Sequence, residues 1–122
     1  MSKKILIVDD EPSIVISLEF LMEQKGFALK VARTGEEAMQ IIHEFMPDLV
    51  LLDVMLPNKN GFEICQYVRS TPELAAMKII LLTAKGRKQD IEKGLAIGAD
   101  AYITKPFSTK NLVETVQNML EK

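Results

Sequence analysis

Residues 49–57 read Leu-Val-Leu-Leu-Asp-Val-Met-Leu-Pro. Asp53 is the only charge in this run, and a carboxylate buried without a partner costs several kcal/mol. The apolar residues before it suit a strand over 48–53 covered on both faces, as strands of parallel sheets are. The acid at the end of that strand therefore needs a compensating group.

The same pattern recurs to either side. Residues 4–8 (KILIV) and 78–84 (KIILLTA) read as two more doubly covered strands. Residues 28–32 (ALKVA) alternate like a less buried, edge strand, and 101–104 (AYIT) form a short fifth. Between them lie helical patterns. One runs over 12–26, with Ile14, Leu18, Leu21 and Met22 at helical spacing and Gly26 as its stop. Another begins near Gly35 and is followed by Pro47. A third, over 61–70, presents Phe62, Ile64, Cys65 and Val68. A fourth spans 88–98 and is closed by Gly98, and the last starts after Ser108, a natural N-cap. Alternating strands and helices predict an α/β, doubly wound (βα)5 three-layer sandwich with a five-stranded parallel sheet. Placing the three most apolar strands centrally gives the order 2-1-3-4-5.

Composition agrees. The 122 residues suit one domain over 1–122, with 48% hydrophobic and 26% charged residues, as expected of a globular chain. Fifteen basic against seventeen acidic residues, a net charge of −2, argue against a dedicated nucleic-acid surface. Cys65 is the only cysteine, which rules out an internal disulfide or cysteine metal cluster and suits the reducing cytoplasm. No stretch approaches the roughly 20 apolar residues that span a bilayer. The opening, MSKKILIVDDEPS, is a poor signal peptide and a good first strand. The chain stops where its last helix should end, which leaves a following segment open.

The polar residues that follow the central strands are Asp9-Asp10-Glu11, Asp53, Thr83-Ala84 and Lys105-Pro106. In a doubly wound sheet these strand ends line one crevice. Three carboxylates there repel by on the order of 3 kcal/mol per pair at an effective dielectric of about 20. Lys105 cannot neutralise all of them. A divalent cation can, and a hard oxygen donor set favours Mg2+ or Mn2+ over Zn2+. Such a cation beside an ammonium and a hydroxyl suits a phosphoryl group, with the Ala84 N–H close by to donate. With Asp10 sharing the metal, the free oxygen of Asp53 is the natural nucleophile toward phosphorus.

In this arrangement the sequence resembles a response-regulator receiver domain, the CheY-like family of two-component signalling. The matching residues are Asp9-Asp10, Asp53 after Leu-Val-Leu-Leu, Pro57, Gly61, Thr83-Ala84 and Lys105-Pro106-Phe107, in order along essentially the whole chain. The resemblance implies that Asp53 accepts a phosphoryl group from a phosphohistidine on a sensor histidine kinase or phosphotransfer protein. Asp10, Asp53 and the Met55 backbone carbonyl would ligate Mg2+, with Asp9 acting through water. Lys105, set by a cis bond to Pro106, would contact the phosphoryl oxygens. Thr83 would swing toward them and Tyr102 turn inward, signalling through the face of the fourth helix, fifth strand and fifth helix. That face would address an output partner or a C-terminal effector domain, or form a homodimer. The resemblance also makes Met55 and Lys85 the positions that tune self-dephosphorylation; Met55 has no group to orient an attacking water and Lys85 would screen the phosphoryl group, so moderate to slow decay is expected.

Taken singly, these residues have plainer readings. The acidic triplet is also a good helix N-terminus, Thr83 a cap, Lys105-Pro106 a turn and Tyr102 an ordinary strand aromatic. His43 reads as a surface or boundary residue without partners, the methionines as core filler, and residues 85–90 as a solvated loop and helix start. Three rival functions share part of this pattern. A haloacid-dehalogenase-type aspartyl-phosphate hydrolase needs an acid two residues after the nucleophile, where Met55 stands. An FMN binder needs a hydroxyl- and glycine-rich loop where Asp9-Asp10-Glu11 would repel phosphate. A degenerate receiver, acting only as an interaction module, requires losing part of a site that is complete.

Overall fold

A computed structural model describes residues 3–56, 60–84 and 86–121. The elements follow in the order β1 (Lys4–Val8), α1 (Pro12–Gln24), β2 (Ala28–Ala32), α2 (Gly35–Phe45), β3 (Leu49–Asp53), α3 (Gly61–Ser70), β4 (Lys78–Ala84), α4 (Lys88–Ile97), β5 (Ala101–Lys105) and α5 (Thr109–Glu121). The strands form one parallel sheet of order β2-β1-β3-β4-β5, as expected.

Successive strand side chains point to opposite faces, so the sheet builds two cores. Leu6, Val8, Val50, Leu52, Ile79 and Leu81 pack with α2 and α3, including Ile42, Ile64 and Val68. Ile5, Ile7, Leu51, Ile80, Leu82 and Ile103 meet Leu18 and Met22 of α1 and Leu112 and Val116 of α5. Each fully buried aliphatic side chain stabilises the fold by about 1.5–3 kcal/mol. Cys65 is one of the buried residues, and burial pushes its thiol pKa up, so it packs rather than reacts.

The register sets the upper ends of the strands. Val8 lies opposite Leu52, Asp53 opposite Leu82, and Ala84 opposite Lys105. The residues just past β1, β3, β4 and β5 therefore emerge on one edge of the sheet.

Several local details differ from the sequence reading. α1 ends at Gln24, and Gly26 takes a left-handed φ of +84° beyond it. Its buried residues are Val15, Leu18 and Met22, with Ile14 and Leu21 only half-buried. β3 starts at Leu49 because the Asp48 side chain accepts the Lys4 backbone N–H at 2.8 Å. β5 continues to Lys105. A 3-10 turn over Pro72–Leu74 lies between α3 and β4, where the sequence pattern shows no element. His43, expected to lack partners, has its Nε2 within 2.7 Å of the Tyr67 hydroxyl and ties α2 to α3.

Candidate functional site

Asp9 directly follows β1, with its backbone N–H donated to the Ala32 carbonyl at 3.1 Å and its side chain fully buried. Its Oδ1 accepts the Glu11 N–H at 3.0 Å, and its Oδ2 lies 2.7 Å from Lys105 Nζ. Lys105, at the end of β5, also reaches Glu11 Oε1 at 3.3 Å and Asp53 Oδ2 at 3.6 Å. The Lys105–Pro106 bond is cis. Asp53 is 5% exposed, and its Oδ1 accepts the Met55 N–H at 3.2 Å.

Burial and the neighbouring Asp9 charge push the Asp53 carboxyl up to about 6, although Lys105 and the Met55 N–H pull the other way. Burial disfavours the Lys105 ammonium as well. The Asp9 hydrogen bond and the charges of Asp53 and Asp9 outweigh it and hold its pKa above the ordinary lysine value.

Gly61, the first residue of α3, lies close against the end of β3. Gly61 donates its N–H to the Val54 carbonyl at 3.0 Å, and a Cβ there would stand 2.6 Å from the Asp53 carbonyl oxygen. Only glycine fits this approach. Asn60 caps α3 by accepting the Glu63 N–H, which fixes where the loop ends.

Together these groups line a cavity of about 260 Å3 that includes Asp10, Glu11, Asp53, Thr83, Arg87 and Lys105. Oxygens of Asp9, Asp10 and Asp53 lie within 4.8 Å of one another. Asp9 Oδ2 is compensated by the Lys105 ammonium at 2.7 Å, whereas the buried Thr83 Oγ1 has no hydrogen-bond partner among the described residues. A buried polar atom in that state points to a ligand the fold is shaped to receive. An all-oxygen, carboxylate-rich donor set fits a hard divalent cation such as Mg2+.

The structure thus brings together the expected Asp9, Asp10, Asp53, Met55, Thr83 and Lys105, with Ala84 following Thr83. Tyr102 stands apart on β5, 44% exposed rather than turned inward. Asp9 is paired directly with Lys105. Pro57 and Lys85 lie outside the described residues. The sequence reading puts Arg87 and Asp90 in a solvated loop and helix start, whereas both line the cavity. Their position just past β4, with an i,i+3 pairing of opposite charges, was the available signal.

A family model described as the response regulator receiver domain matches residues 5–117. Solved structures agree with it. A Chloroflexus aurantiacus protein assigned as a response regulator is 35% identical over 100% of both chains, with a TM-score of 0.96. The chemotaxis response regulator CheY4 of Vibrio cholerae is 29% identical over 98% of this chain and 100% of that one, with a TM-score of 0.91. A BeF3-activated DrrB receiver domain is 35% identical over 100% of both chains, with a TM-score of 0.89.

Proposed function

The chain belongs to the response regulator receiver domain family of two-component signalling, and from that premise we propose that Asp53 accepts a phosphoryl group from a phosphohistidine on a sensor histidine kinase or phosphotransfer protein. The observation that carries this reading is the Asp53 carboxylate itself: it is 5% exposed at the mouth of the cavity, 3.6 Å from an ammonium, beside two more carboxylates.

An Asp53 oxygen attacks phosphorus, the bond from phosphorus to the donor nitrogen breaks, and the electron pair leaves with the imidazole. The product is an acyl phosphate. With a pKa of about 6, Asp53 is ionised and nucleophilic at pH 7. Lys105, the Thr83 hydroxyl and the Ala84 backbone N–H supply charge and hydrogen bonds to the phosphoryl oxygens. Asp10, Asp53 and the Met55 carbonyl would hold Mg2+ or Mn2+, with Asp9 acting through water. When bound, the cation neutralises the phosphoryl oxygens.

Output follows from the group left unsatisfied before transfer. The buried Thr83 hydroxyl has no partner among the described residues, and the added charge of about −1.5 to −2 gives it one. Its move frees space behind it for the exposed Tyr102 to turn inward. The face of α4, β5 and α5, where Leu95 is 42% and Tyr102 44% exposed, then changes shape toward an output partner, a C-terminal effector domain or a second copy. Met55, 63% exposed and apolar, offers no group to orient a hydrolytic water, which supports slow decay. It also leaves the chain without the acid that a phosphatase of this chemistry needs. The protein acts as a signalling phosphoacceptor on its own aspartate rather than as an enzyme on other substrates. Among the described residues no helix is long and apolar enough to cross a membrane, which suits the cytoplasmic placement proposed here.

Incubation with acetyl phosphate tests the reading. Intact-mass measurement should show one added phosphoryl group that requires Mg2+, disappears with a chelator and is released by hydroxylamine, as an acyl phosphate is. No adduct at any Mg2+ concentration would contradict it.

A further inference from the structure

We infer that Arg87 is a second cationic ligand of the phosphoryl group, held in reserve by Asp90 until Asp53 is modified; this rests on the phosphoacceptor reading of Asp53. Arg87 lies between β4 and α4 and lines the same cavity as Asp53, Thr83 and Lys105. Its side chain is 50% exposed and meets Asp90 Oδ2 through Nη2 at 2.9 Å, while the Asp90 side chain is 18% exposed.

The charges in the cavity make an exchange of partners favourable. Asp10, Glu11, Asp53 and Asp90 contribute carboxylates to its lining, against the cations of Arg87 and Lys105. Lys105 is already shared among Asp9, Glu11 and Asp53. A phosphoryl group adds about −1.5 to −2 of charge next to it. The guanidinium presents a planar fork that matches two phosphoryl oxygens, and it gains by leaving a single carboxylate for a doubly charged group.

Release costs little. The pair spans one helical turn, so the guanidinium can leave by side-chain rotation while α4 stays in place. Asp90 remains in the first turn of α4, where the helix dipole stabilises its charge. The plainer view is a surface ion pair that steadies the start of α4, and such pairs contribute little. The two views differ in the sign of a measurable effect. If the pair only steadies the helix, removing either partner acts in the same direction. If Asp90 restrains a phosphoryl ligand, removing Asp90 and removing Arg87 act oppositely.

Beryllofluoride, a tetrahedral analogue of the phosphoryl group, distinguishes them in calorimetric titrations at saturating Mg2+. Arg87→Ala, and Arg87→Gln as a variant that keeps most of the stem, should raise the half-saturating beryllofluoride concentration roughly ten- to a hundred-fold, the scale of one charge-assisted hydrogen bond. Asp90→Asn should lower it, and that gain should largely vanish when Arg87→Ala is also present. Unchanged binding in both Arg87 variants overturns the inference. So does an Asp90→Asn gain of equal size in both backgrounds, which would reflect only the loss of a repelling charge. A wild-type protein that binds no beryllofluoride overturns the phosphoacceptor reading itself, an outcome distinct from wild-type binding that Arg87 does not affect.

Discussion

Lys105 Nζ lies 2.7 Å from Asp9 Oδ2, joining the last strand of the sheet to the first. The carboxylate is fully buried and the ammonium side chain 14% exposed, so each is the other's main compensation. In the unphosphorylated state, Lys105 is held by Asp9 more closely than by Asp53, its longer contact at 3.6 Å. The lysine therefore has a structural task before it has a chemical one.

Removing that ammonium should expose the first task. Lys105→Met leaves Asp9 buried without its cation and should destabilise the metal-free protein by about 2–4 kcal/mol. Saturating Mg2+ should recover part of the loss, because a bound cation replaces the missing charge. Urea denaturation with and without Mg2+ measures both. A loss that Mg2+ leaves unchanged would separate the metal from the Asp9 carboxylate.

Asp53 should make the protein less stable as pH rises. Its folded pKa of about 6 exceeds the ordinary 3.8, so the folded state binds this proton more tightly than the unfolded chain does. The stabilisation is complete below 3.8 and is lost as pH rises through about 6. In chelator at pH 8, Asp53→Asn should be more stable than wild type by roughly 1–3 kcal/mol. The gain should shrink toward pH 4. Denaturation midpoints for the two proteins across pH 4–8 check the sign, and a gain that grows on acidification would refute it.

Gly61 should tolerate no side chain. A Cβ would sit 2.6 Å from the Asp53 carbonyl oxygen and 3.0 Å from Val54 Cα, both backbone atoms that cannot rotate away. Gly61→Ala should cost about 1–3 kcal/mol and slow phosphoryl acceptance, because relief of the clash displaces the strand end that carries the nucleophile. Thermal melts and acetyl phosphate time courses report the two effects.

Arg69 marks the opposite end of the sheet and should behave differently. Its guanidinium donates to the Gly98 carbonyl at 2.7 Å and the Met77 carbonyl at 2.7 Å, and meets Asp100 Oδ2 at 2.6 Å. Arg69→Ala should destabilise by about 2–3 kcal/mol while leaving the phosphorylation rate of the folded protein unchanged. A comparable fall in that rate would show that the two ends of the sheet are coupled.

The sequence carried most of this fold because its signals were local and repeated. Doubly apolar strands such as 4–8 and 49–53 can be stable only in the middle of a covered sheet, which left few strand orders. The acid in Leu-Val-Leu-Leu-Asp then placed the site, because strand order carries Asp9, Asp53, Thr83 and Lys105 to one edge. The residues misread or missed depend on contacts that no local pattern encodes. His43 looked isolated because Tyr67 belongs to another helix. Val15 was left out of the core because the inward face of α1 is set by its packing angle, not by apolarity alone. The direct pairing of Asp9 with Lys105 depends on the depth of each side chain, which residue order leaves open.

The central claim is that Asp53 is the phosphoacceptor, and one comparison tests it most directly. Wild type and Asp53→Asn are treated side by side with acetyl phosphate and Mg2+ and their intact masses measured. The account predicts one phosphoryl adduct on wild type and none on Asp53→Asn, with both proteins folded by circular dichroism. An adduct of equal yield on Asp53→Asn would contradict it.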